Sequence, residues 1–279
     1  MDIAEIIKDA FAFPSKNPGT LAIYIVLSIL VSAFAFGGAV TSIFGFTGSM
    51  EYFIIGAVYL IIAIIIGFIM SGYQISIIKS GIELDEEAPD FEWEENFISG
   101  VKNTIVAIAY FIIPAIIVAI VGLITNVPSN IASFGREFAS QLGNVTVNAN
   151  VHVPAVNVTS QSLNNLAGSL AITFTVALVL FIIFSFIRTI GEARLADTGS
   201  LAKALNIPEA LRDIMEIGAG KVIGLLILVV IISVIIEIIL ASILNYMPFL
   251  LILSMIITPY LLFFAKRAVG LLYFDIAYF

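Results

Sequence analysis

Long apolar stretches alternate with short polar segments along the chain. Six stretches contain no Lys or Arg, and they run over residues 20–44, 52–78, 104–124, 169–187, 222–244 and 246–265. A helix needs about 20 apolar residues to cross a hydrocarbon core about 30 Å thick. The pattern therefore predicts an all-α membrane protein with six transmembrane helices, arranged as a single polytopic membrane domain over residues 1–279.

The basic residues are distributed unevenly between the two sets of loops. Of the 12 Lys and Arg residues, only Arg136 lies in the loops that follow the first, third and fifth spans. Basic residues are retained on the cytoplasmic side of a membrane. We therefore expect a plasma-membrane protein with both termini in the cytoplasm and residues 125–168 outside the cell.

Three shorter segments place apolar side chains on one face of a helix. They cover residues 3–11, 93–101 and 207–215, and each is followed by a lysine near the start of a span. Helices of this kind lie in the membrane interface with their apolar face toward the acyl chains. We expect three cytoplasmic interfacial helices, anchored by Phe11, Trp93, Phe97 and Met215.

Each amphipathic segment precedes two spans, so the chain can be divided into similar units over 1–80, 90–190 and 206–270. This spacing favours three hairpins, each preceded by an amphipathic helix. The alternative is that amphipathic helices near span ends are common in polytopic proteins and imply no repeat. Two spans return the chain to its starting side, so the units keep one orientation, unlike the inverted repeats of many transporters.

The extracellular insertion over 125–168 has a pattern of its own. Ile131, Phe134 and Phe138 follow helical spacing, whereas residues 145–153 alternate between valine and polar residues. We expect a short helix followed by strands. Asn144 and Asn157 each begin an Asn-X-Thr sequence and are candidate glycosylation sites.

Composition supports the membrane assignment and removes several function classes. The chain is 61% hydrophobic and carries 11% charged residues, against about 25% in soluble domains. Its formal net charge of −8 argues against a nucleic-acid partner, which requires clustered basic residues. The expected partners are the lipid bilayer and other membrane proteins.

Candidate chemistry is sparse. The chain has no Cys and a single His, at position 152, so neither a zinc site nor a Ser-His-acid set can be assembled. We predict no catalytic residue, no cofactor, no metal site and no enzymatic activity. A membrane enzyme that acts on lipid head groups is the weaker alternative, and no residues can be assigned to it.

Glu237 is the only charged residue inside a predicted span. It lies about 22 Å from the start of that helix at a rise of 1.5 Å per residue. An intramembrane carboxylate is costly to keep in lipid and is a candidate functional group. It is either a hydrogen-bonded group buried between helices or part of a cation or proton pathway.

The segment 83–95 contains eight carboxylates, and it is either an acidic binding site or a charged connector. A calcium loop places its ligands at fixed alternate positions with a glycine at the turn, whereas Pro89 interrupts this segment. We therefore predict a hinge between the first and second hairpins.

The residues on either side of this hinge resemble a known family pattern. They are Gly72, Tyr73, Gly81, Pro89, Asp90, Phe91, Trp93, Phe97, Gly100 and Lys102. The pattern is similar to that of archaeal polytopic membrane proteins catalogued as domain of unknown function 4013. The resemblance covers residues 52–124 closely and the rest by layout, and it brings no catalytic residues. More distantly, the layout is similar to the membrane domain found beside glycerophosphodiester phosphodiesterases.

Two functions follow as hypotheses. The first is a non-enzymatic integral membrane protein that organises the membrane or forms the membrane component of a larger assembly. The second is a transporter or channel that uses Glu237.

Overall fold

A computed structural model describes residues 1–143, 159–247 and 250–277. In these ranges the chain forms ten α-helices and no strand: α1 Ile3–Lys16, α2 Pro18–Thr47, α3 Met50–Ile82, α4 Trp93–Ile124, α5 Val127–Gly143, α6 Ser160–Thr198, α7 Leu201–Ala204, α8 Ile207–Ile217, α9 Ala219–Tyr246 and α10 Leu251–Ala277. The predicted strand segment 145–153 and both glycosylation candidates, Asn144 and Asn157, lie outside the described residues.

Six of these helices, α2, α3, α4, α6, α9 and α10, are long and apolar enough to cross a membrane. Their number and approximate positions confirm the prediction of an all-helical chain with six long apolar helices. The chain is accordingly a multi-pass membrane protein.

Three of the long helices, α4, α6 and α10, extend well beyond their predicted apolar stretches. The amphipathic segment 93–101 is the start of α4 and not a separate helix, which corrects the prediction of an independent interfacial helix at this point. No proline interrupts this part of α4, so its backbone hydrogen bonding continues into the span. Helix α6 has 39 residues and is about 58 Å long at 1.5 Å per residue, longer than the hydrocarbon core.

The chain divides into two compact units. Unit 1 comprises residues 1–108 and 186–279, and unit 2 comprises residues 109–185. In unit 1, α10 packs against α1, α2, α3, α8 and α9. The centre of this packing is an apolar and aromatic core that includes Phe13, Tyr24, Tyr73, Ile77 and Phe263. Helix α10 is therefore the element around which unit 1 is built.

Small residues bring α2 and α3 together within unit 1. A Cβ atom on Gly45 would lie 2.5 Å from the backbone nitrogen of Phe53, and one on Gly56 would lie 2.4 Å from the Ser42 hydroxyl. Membrane helices approach closely where such residues line the contact. The short connection at residues 48 and 49 thus joins two helices that pack side by side.

Unit 2 contains the remainder of α4, all of α5 and most of α6. Phe111 stacks on Phe181 at 5.5 Å, and the hydroxyls of Thr125 and Thr173 are 3.0 Å apart. Glu137 of α5 accepts a hydrogen bond from the Thr159 backbone N–H at 2.7 Å. Hydrogen bonds from the Ser162 hydroxyl and from Thr159 lower the pKa of Glu137.

Candidate functional site

Arg267 is the most deeply buried cation of unit 1. Its residue is 1% exposed, and its guanidinium pairs with Asp9 of α1 at 3.0 Å. The same group donates to the carbonyl oxygens of Ser80 at 2.8 Å and Asp85 at 2.6 Å, and it lies 4.7 Å from the centre of the Phe13 ring. One side chain of α10 thereby connects α1, the end of α3 and the segment that follows α3.

Glu192 lies between two cations. Its residue is 3% exposed, and its carboxylate pairs with Arg188 at 2.5 Å and with Lys266 at 2.7 Å. Arg188 precedes it by one helical turn, whereas Lys266 comes from α10. This arrangement holds the end of α6 against α10.

Arg194 joins α6 to α8. Its guanidinium donates to Asp213 at 2.5 Å and also pairs with Glu209. The Asp213 carboxylate accepts a second hydrogen bond, from the Tyr273 hydroxyl at 3.0 Å. Asp213 is 4% exposed, although the amphipathic pattern of 207–215 places it on the polar face. The polar face of this helix is therefore partly covered by other helices of the protein.

These contacts define the charged end of unit 1, which consists of Asp9, Glu192, Arg194, Asp213 and Arg267 with their partners. Each of the five is ion-paired to a group on another helix. Removing one partner of a buried ion pair leaves an uncompensated charge and costs about 3–5 kcal/mol. The arrangement is suited to fastening helices together. No group of three or more His, Asp or Glu suited to a metal ion occurs in the described ranges.

In the sequence, the residues of the charged end stand out only as charged residues between the spans. The sequence pattern does not show which of them form ion pairs. The spacing of Arg188 and Glu192, four residues apart, is a usable signal, because side chains at that spacing are neighbours on a helix. The pairing of Glu192 with Lys266 spans 74 residues and has no local signal.

The acidic linker, residues 83–92, is attached to unit 1 through aromatic and amide contacts. The Tyr73 ring stacks on Phe91 with centroids 3.8 Å apart, and its hydroxyl donates to the Pro89 carbonyl at 2.9 Å. Asn17 accepts a hydrogen bond from the Ala88 backbone N–H at 2.8 Å. These contacts secure the apolar and backbone groups of the linker while its carboxylates remain exposed.

Those carboxylates surround a small polar depression of about 190 Å³ that includes Glu83, Asp85, Glu87 and Glu92. A hydrogen bond shared with the nearby Glu95 carboxyl group raises the pKa of Glu92, because that bond requires a proton, and repulsion between the two carboxylates raises the pKa further. Among the described residues, no three acidic side chains of this depression converge closely enough to hold a metal ion.

Two glycines of the family pattern form the crossing between α3 and α4. A Cβ atom on Gly72 would lie 1.7 Å from the carbonyl oxygen of Asn96, and one on Gly100 would lie 1.7 Å from that of Phe68. Both distances are far inside van der Waals contact. The two backbones touch here, and only glycine fits at either position.

Glu237 lies in the apolar part of α9 with its side chain exposed. Among the residues that the structure describes, none donates a hydrogen bond to its carboxyl group. Leu240, nearly one turn further along, is 6% exposed and points inward. Because Leu240 lies only about 60° around the helix from Glu237 at 100° per residue, the exposed carboxyl group stands at the edge of the buried side of α9.

A cavity of about 640 Å³ lies between α2, α3 and α10. Its lining is apolar apart from hydroxyl groups, which include those of Ser28, Ser32, Ser254 and Thr258. Glu237 is not among the lining residues. The intramembrane carboxylate and this cavity are therefore separate features of unit 1.

The four predicted interfacial anchors differ in exposure. Met215 is 72% exposed, Trp93 53% and Phe11 41%. Phe97 is half-buried, and the centre of its ring lies 5.6 Å from the centre of the Phe68 ring. Their insertion into a membrane interface stays a prediction.

The family model described as "Protein of unknown function (DUF4013)" matches residues 55–246, more than half of the chain. The chain belongs to this family. Neither the curated proteins nor the solved structures contain a match to it.

The DUF4013 match begins in α3 and ends with α9. It includes the Gly72 and Gly100 crossing, the acidic linker and Glu237, and it excludes Arg267 and its partner Asp9. The charged end of this DUF4013 protein is thus built partly by the matched segment and partly by α1 and α10, which lie outside it.

Proposed function

We propose that this protein is a non-enzymatic integral membrane protein and serves as the membrane component of a larger assembly. The observation that carries the proposal is the exposed carboxyl group of Glu237 on an apolar helix. A carboxyl group in hydrocarbon requires a hydrogen-bond partner, because leaving it unpaired is expensive. A partner supplied by another membrane protein chain meets that requirement.

The Lys and Arg distribution favours one arrangement of the protein in the membrane. We place the protein in an archaeal plasma membrane, with three hairpins, both termini in the cytoplasm and residues 125–168 outside, on the basis of the Lys and Arg distribution. In this orientation the charged end of unit 1 faces the cytoplasm. Interfacial segments at α1, the start of α4 and α8 would then lie along the inner surface.

The transporter alternative has less support. A conducting or transporting carboxylate should line a space open to water, and the 640 Å³ cavity between α2, α3 and α10 does not include Glu237. The paired charges at the charged end also favour a structural role over turnover. Proteoliposome flux assays that detect transport abolished by Glu237→Gln would favour the alternative.

Extraction of the protein from native membranes into polymer-bounded discs tests the assembly proposal. The mass of the protein part should exceed the 30.0 kDa of one chain. The Glu237→Leu variant should give a smaller particle, and the Glu51→Leu variant, which alters an exposed acid at the start of α3, should not. A wild-type particle that contains a single chain and no other protein would overturn the proposal.

A further inference from the structure

We infer that the partner of Glu237 is Glu237 of a second copy of this chain, so that α9 forms a twofold symmetric contact within the membrane. The inference rests on the proposed function, since it names the partner that the assembly requires. The exposed carboxyl group requires a hydrogen-bond donor that can reach it within the membrane.

Two copies of the chain place Glu237 at the same depth in the membrane. Glu237 lies about 27 Å from the start of α9 and about 14 Å from its end at Tyr246, at 1.5 Å per residue. Copies of one chain insert with one topology. The carboxyl groups of two copies therefore lie at the same depth without any adjustment of either chain.

Two carboxyl groups at the same depth are complementary as hydrogen-bond partners. A neutral carboxyl group carries one O–H donor and a carbonyl acceptor, so two of them satisfy each other reciprocally. A twofold axis along the membrane normal creates such a self-complementary contact. The six apolar stretches contain no Lys or Arg, so no ion pair at this depth competes within the chain.

The surface around Glu237 permits close approach. Ser233 and Ala241 lie one turn before and after it, about 40° to either side at 100° per residue, and Ala241 is exposed. Small residues beside a polar group are typical of contacts between membrane helices. Val234 and Ile238, 46% and 60% exposed, supply apolar area on the same side.

Disulfide trapping in liposomes that contain only the purified protein tests the contact. The chain has no Cys, so the single cysteine of an Ala241→Cys variant can react only with its counterpart in a second copy. We expect a covalent dimer on mild oxidation. The matched control is Ile239→Cys, which is exposed but lies about 160° around the helix from Glu237; it should give little dimer.

The role of the carboxyl group is tested by energy transfer between labelled copies as the protein is diluted with lipid. Hydrogen bonds between membrane helices are worth enough to shift association about 3- to 30-fold, so Glu237→Leu should weaken it by that factor. Glu237→Gln, which keeps a donor and an acceptor, should retain most of it. Glu51→Leu should have no effect.

The outcomes separate this inference from the proposed function. Equal trapping at positions 239 and 241, no trapping at either, or unchanged association of Glu237→Leu would overturn the second-copy contact. If the purified protein stays a single chain while the native-membrane particle contains another protein, the partner is a different chain and the assembly proposal stands. A single chain in both experiments overturns both.

Discussion

Two carboxylates of unit 1, Glu192 and Glu237, have opposite surroundings. Glu192 is 3% exposed and lies between Arg188 and Lys266, whereas Glu237 is exposed on an apolar helix. The first is satisfied entirely by its own chain, and its removal should harm folding. The second has no donor among the described residues, and its removal should harm association. The comparison separates residues that build the fold from residues available for contacts with other chains.

Replacing each glutamate by leucine is the most direct test of this difference. Glu192→Leu leaves two cations uncompensated and should lower the free energy of unfolding by about 3–5 kcal/mol. Glu237→Leu removes no contact within the described chain and should not lower the stability of the single chain. Unfolding in mixed micelles of increasing SDS content measures both, and equal losses would remove the distinction.

Arg267→Met tests whether α10 fastens α1 through the charged end. The substitution removes the pair with Asp9 and the hydrogen bonds to the Ser80 and Asp85 carbonyls, so we expect a loss of about 3 kcal/mol. Limited proteolysis should then cut near α1 earlier than in the wild type. The control is Lys8→Met, because Lys8 is exposed on the same helix as Asp9. Unaltered cleavage near α1 in the Arg267 variant would argue against fastening.

Gly72→Ala extends the comparison from charge to packing. The added Cβ atom would meet the Asn96 carbonyl oxygen at 1.7 Å, and overpacking of this kind costs about 1–3 kcal/mol. Gly67→Ala is the matched control on α3, since nothing lies within 4 Å of its Cβ position. Alanine there should stabilise by about 0.5–1 kcal/mol through helix propensity. Thermal unfolding in detergent should shift in opposite directions for the two variants.

Lys16→Met should have the smallest effect. Lys16 pairs with Glu86 of the acidic linker at 3.1 Å, but both side chains are largely exposed. Such pairs contribute about 0–1 kcal/mol and are screened by salt. The difference in the free energy of unfolding between the wild type and the variant should be smaller at high salt than at low salt. If Lys16→Met lowered the free energy of unfolding as much as Arg267→Met, exposed and buried ion pairs would not differ in their contribution to stability.

Parts of the candidate site can be recognised from the amino-acid sequence alone. Glu237 is recognisable because one charge stands out among the apolar neighbours of its span. The pattern around Gly72 and Gly100 indicates the family, but its physical reason is a backbone contact between α3 and α4, which spacing does not reveal. The amphipathic pattern of 207–215 places Asp213 on a polar face and does not show that Arg194 and Tyr273 cover it.

The sequence by itself determined that the chain is helical and that six helices are long and apolar enough to cross a membrane. Those properties depend on local composition and on the thickness of a bilayer. Only the tertiary structure decided which charges pair, as Lys266 with Glu192, and which one faces outward, as Glu237 does. Such contacts join residues far apart in the chain or depend on the rotation of one helix against another, and hydrophobic periodicity specifies neither.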